Sequence, residues 1–162
     1  GQVVSLSFLV LNTVGFILPA TVLEPLVKKI GRVKVHMVAI GLMAVGYFLI
    51  ILFGSTITLV YVFMAVAGIG WAATVSLPFA IMTEKVDKAK MGLFMGIFNL
   101  SVVIPQLIVS LGFGSFIQHA ENKNVIFIIC TVCLAISTFL WSLVKDNTAL
   151  DLPVKSQPLT SH

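Results

Sequence analysis

The sequence predicts an all-α polytopic bundle of about five membrane-spanning helices, and three observations lead there. Apolar residues fill 59% of the 162 positions and charged residues only 10%. Soluble domains average roughly 45–50% apolar and ~25% charged, so this chain has too few charges to coat a water-facing surface. Mean hydropathy is +1.11. Finally, the apolar residues gather in five long runs. A helix needs roughly 20 such residues to cross ~30 Å of hydrocarbon.

The runs are residues 3–23, 35–53, 56–82, 92–117 and 125–144, so the expected bundle is 1–144 and the remainder, 145–162, a disordered cytoplasmic tail. Short polar stretches separate them: VKKIGRVK, GST, TEKVDKAK and HAENKN. A membrane barrel would show alternating segments of about ten residues, and none occurs here.

The net charge of +4 does not point to nucleic acid, because the basic residues are sorted by side. Alternating the loops places Lys28, Lys29, Arg32, Lys34, Lys85, Lys88, Lys90, Lys145 and Lys155 on one side and Lys123 alone on the other. Basic residues favour the cytoplasmic side. The expectation is an inner or plasma membrane protein with its amino end outside and its carboxy end in the cytoplasm.

Cys130 and Cys133 form C-x-x-C inside the run IFIICTVCLAIST. No charge stands nearby to stabilise a thiolate, so they read as small apolar residues rather than a redox pair. No motif for metal binding, phosphate binding or nucleophilic catalysis is present. The chain therefore reads as a non-enzyme without metal or cofactor.

Pro19, Pro78 and Pro105 fall inside runs, where each removes a backbone donor and bends a helix. Membrane helices tolerate this where neighbours or an aqueous cavity satisfy the freed carbonyls. Gly68, Gly70, Gly92 and Gly96 offer small surfaces for close approach, the last two as G-x-x-x-G.

Ionisable residues at depth are scarce. Glu24 closes the first run four residues before Lys28, spacing that allows an ion pair across one turn and also leaves a coupling or gating role open. His36 opens the second run and is expected to snorkel to the interface. The neutral polar residues are more informative. Asn12, Trp71, Asn99 and Gln106 fall within runs, the last two seven apart and so on one face. Buried amides need partners; either another helix or the hydroxyls of a ligand would serve. An indole such as Trp71 offers a flat face for stacking.

The loop EPLVKKIGRVK, residues 24–34, resembles the cytoplasmic D-x-x-G-R-[KR] loop of the major facilitator superfamily, in the degenerate copy between family helices eight and nine. Gly31 and Arg32 match its core and Lys34 approximates its last basic position. GIGWAATVSLPFAIM (68–82), KMGLFMGIFN (90–99) and VIPQ (103–106) resemble the tenth and eleventh helices of sucrose-transporter-like proteins, which belong with the glycoside–pentoside–hexuronide cation symporters. The resemblance implies that the five runs are family helices eight to twelve of a proton-coupled symporter of a disaccharide or glucoside such as sucrose or maltose. Its partners would be a neutral sugar, a coupling proton, membrane lipid and a missing amino-terminal half.

On that reading Trp71, Asn99 and Gln106, with Asn12 and Ser76, contact the sugar. Glu24, Gly31 and Arg32 serve gating, and Pro78 and Pro105 let helices bend during alternating access. Two other outcomes fit the sequence: a truncated, non-transporting protein that docks on a full-length carrier, and a homo-oligomeric half-transporter.

Overall fold

Hydrophobic run length translates directly into helix here. In the computed structural model, described for residues 1–119, 122 and 124–144, five helices are long and apolar enough to cross a membrane: Gln2–Ile30, Arg32–Phe53, Ile57–Lys85, Lys88–Phe113 and Val125–Ser142. No strand occurs among the described residues. The expected tail, 145–162, lies outside them, as does Lys123.

The first helix runs on to Ile30, beyond the apolar run, and changes pitch on the way. Pro19–Leu23 forms a π turn between α-helical segments, with the Glu24 N–H donating to the Pro19 carbonyl. Pro25 supplies the reason. It has no N–H to give, and its ring crowds the carbonyl four residues back; the widened turn relieves that crowding and re-satisfies the backbone. At Gly31 the chain turns with φ 89° and ψ 157°, a conformation open almost only to glycine, and the second helix begins at once. Pro78 and Pro105 lie inside continuous helix. A second π turn, Val109–Phe113, follows Pro105 and leads into a short helix, Gly114–His119.

Packing depends on small residues. The third helix lies between the first and second, and the second lies between the third and fifth. Gly68 and Gly70 are two positions apart, roughly 200° around the helix at ~3.6 residues per turn, so they face opposite neighbours. A Cβ on Gly68 would sit 2.8 Å from Val14 Cβ of the first helix, and one on Gly70 2.3 Å from Met43 Cβ of the second. Gly46 returns the contact, its Cβ position lying 2.9 Å from the Phe63 carbonyl oxygen. Ala67, Ala72 and Ala73 are wholly buried beside them. Helix association in lipid depends on such close backbone approach, since lipid tails are as apolar as leucine.

The fourth helix differs. None of its residues is buried, and a Cβ at Gly92 or Gly96 would meet nothing within 4 Å. Of the four glycines expected to bring helices together, the structure uses Gly68 and Gly70 for that purpose and leaves Gly92 and Gly96 open. The fourth helix meets the third through the Phe79 and Phe98 rings, 6.1 Å apart and edge to face. Farther along, an apolar cleft of about 470 Å³ separates it from the fifth, lined by Ile108, Gly112, Phe113, Phe116 and Ile129.

Candidate functional site

The third helix presents an open stripe on the side of the fourth. Trp71, Val75 and Phe79 recur every four residues and are 38%, 64% and 43% exposed, and Phe79 is the residue that meets Phe98. Trp71 owes its position to a neighbour that sequence reading had not picked out. A Cβ on Gly15 would lie 2.6 Å from Trp71 Cδ1, so the indole occupies the space a side chain at 15 would need. One turn earlier on the first helix, Asn12 is exposed beside this contact. Its amide nitrogen donates to the Phe8 carbonyl at 2.8 Å. One amide N–H is thus spent within its own helix, and among the described residues the side chain bridges to no other helix.

Asn99 and Gln106 stand exposed on the fourth helix, and neither makes a hydrogen bond among the described residues. Among the described residues they join no two helices. Ser76 is placed differently: half-buried, it donates to the Ala72 carbonyl at 2.7 Å, and it sits five residues past Trp71, roughly 140° around the helix. The structure therefore sets Trp71 against Gly15, with Asn12 one turn before it on the first helix, places Asn99 and Gln106 on the helix that carries Phe98, and turns Ser76 away from the stripe.

A second cluster gathers where the basic loop meets the third helix. The Arg32 guanidinium pairs with Glu84 and donates to the Ala80 carbonyl at 3.5 Å. Both groups sit near the carboxy end of the third helix, where partial negative charge attracts a cation. The pair is partly open, with side chains 36% and 55% exposed, so water screens it to about 1 kcal/mol or less. Glu24 pairs with Lys28 at 3.6 Å, both well exposed. Glu84, which sequence reading passed over, becomes visible once the first loop is known to dock on the third helix.

His36 does not snorkel. It is only 3% exposed, because the second helix starts at Arg32 and places position 36 in its second turn, on the side facing the third and fifth helices. Cys130 and Cys133 are free thiols on the fifth helix, half-buried and exposed respectively.

Comparison with known proteins agrees with this architecture. The family model of the Major Facilitator Superfamily matches residues 2–160, and the chain belongs to that superfamily; it is a multi-pass membrane protein. Among curated proteins it is similar to sucrose transport protein SUT2 of Oryza sativa subsp. indica, 42% identical over 39% of this chain and 13% of the relative. Sucrose transport proteins SUC4 and SUC3 of Arabidopsis thaliana are each 38% identical, over 36% and 43% of this chain and 12% of either relative. The chain thus matches only a small part of these relatives' length. No solved structure matches it.

Proposed function

We propose that the chain is the carboxy-terminal portion of a proton-coupled symporter of a neutral disaccharide or glucoside, working by alternating access together with an amino-terminal half. The observation that carries this reading is the pair of exposed amides on a spanning helix, Asn99 and Gln106, with no side-chain hydrogen bond among the described residues. Unpaired amides in hydrocarbon are costly, and a water-filled cavity with a hydroxyl-bearing ligand removes that cost. Trp71 would stack against the sugar ring, and Asn12 retains a free amide oxygen to accept from a hydroxyl. Secondary transporters place such sites near the midplane. The similarity to sucrose transport proteins supports the substrate class, and the sorting of basic residues supports a plasma or inner membrane location with the amino end outside.

The test is accumulation of labelled disaccharide in proteoliposomes holding the full-length carrier. An imposed inward proton gradient is expected to drive uptake above equilibrium, and a protonophore to abolish it. Uptake indifferent to both would contradict symport.

Within this scheme Arg32 is a latch of one access state, opening as the first loop parts from the third helix. Arg32→Lys keeps the charge but loses the planar paired contacts of guanidinium. Turnover is expected to fall more than sugar affinity, read from transport rates and binding measured side by side. A variant with weakened binding and normal turnover of bound sugar would rule out the latch. Pro78 and Pro105 in this scheme supply the bending that the cycle needs.

A further inference from the structure

His36 is enclosed at the junction of three helices. From the second helix its ring lies against Trp141 of the fifth, centroids 4.6 Å apart and planes at 69°, and it sits near the backbone of Ala73, wholly buried on the third. Nδ1 has no hydrogen-bond partner in this enclosure. A neutral imidazole carries one donor and one acceptor, so Nδ1 can rest here as a single weak acceptor left unpaired. An imidazolium carries two donors. The second N–H and the charge would then lie against an indole that offers a donor and a π face but no lone pair, and an unpaired buried charge is far costlier than an unpaired neutral nitrogen.

The charged groups on the surrounding elements do not offset that cost. They are Arg32 and Lys34 on its own helix, Glu24, Lys28 and Lys29 on the first, and Glu84 and Lys85 on the third. Described residues of the fifth helix contribute none; its titratable groups are Cys130 and Cys133. Glu84 is engaged by Arg32 and Glu24 by Lys28, so no carboxylate among the described residues pairs with His36. Yet the residue lies one turn inside Arg32, close to the aqueous side of the basic loop, and histidine is the side chain that ordinarily changes charge near neutral pH.

We infer that His36 is a proton-sensitive contact between the second and fifth helices: neutral, it holds the basic-loop end of the fifth helix through Trp141; protonated, it releases it. This goes beyond sugar transport itself, since it would let acidification on that side loosen one edge of the bundle whatever the substrate.

The test uses the full-length carrier in nanodiscs, with Cys130 and Cys133 replaced by serine and spin labels on cysteines at Lys34 and Ser142. Between pH 7.5 and 4.5 the distance distribution is expected to lengthen and broaden, following a one-proton transition. His36→Phe keeps an aromatic ring against Trp141 without a titrating group, and His36→Gln keeps a polar group of similar length; both are expected to hold one distribution at both pH values. No change in the unsubstituted protein would overturn the inference. So would the same change in either variant. Should neither variant fold, the titration of the unsubstituted protein decides alone.

Discussion

Gly70→Val is expected to destabilise the bundle severely, whereas Gly92→Val leaves its stability unchanged. A Cβ at 70 would sit 2.3 Å from Met43 Cβ and 2.7 Å from the Ala39 carbonyl oxygen. Neither atom lies at the free end of a flexible side chain, so the second and third helices must move apart to admit it. Overpacking of this kind costs about 1–3 kcal/mol, and more where backbone shifts; the extra methyls of valine add to it. Separation would also spread to Ala67, Ala72 and Ala73, which are fully buried along the same helix. At Gly92 a side chain meets open space. The check is thermal unfolding of this chain and its two variants in one mild detergent. Equal losses at both positions would mean that the fourth helix is packed as tightly as the third.

The contrast between those glycines also shows where sequence reading reached its limit. The spans were legible because lipid imposes a local rule: every spanning helix must be apolar over roughly 20 residues. The pitch change at Pro19–Leu23 was only partly legible: a bend was expected at Pro19, whereas the widened turn answers Pro25, whose ring crowds the carbonyl four residues back. Helix neighbours were not. Gly68 and Gly92 sit in similar small-residue patterns, and only the three-dimensional arrangement shows that one meets Val14 and the other nothing. His36 failed for the same reason. Its place near the end of an apolar run suggested an interface, but Trp141, more than a hundred residues later, covers it. Glu84 was one of two carboxylates in a charged loop until Arg32 was found against it.

The candidate site was legible as a set of residue types more than as a geometry. Amides and an indole at membrane depth stand out against hydrocarbon in any reading of this composition. Whether they face one another, a neighbouring helix or a ligand depends on packing, which sorted them unequally. Asn12 and Ser76 each donate within their own helices, a habit of short polar side chains in helices. Asn99 and Gln106 have no such partner among the described residues, which singles out the fourth helix.

The most direct test of that assignment is a paired measurement on Asn99→Ala and Gln106→Ala in the full-length carrier: sugar affinity and melting temperature. If the amides bind a neutral sugar, each contributes a hydrogen bond of about 0.5–1.5 kcal/mol, so each truncation is expected to weaken affinity by roughly two- to twelve-fold. The melting temperature without sugar should stay near that of the unsubstituted protein, and sugar should raise it less than before. Unchanged affinity in both variants, with a lowered melting temperature and full protection by sugar, would contradict the account and return these residues to a packing role.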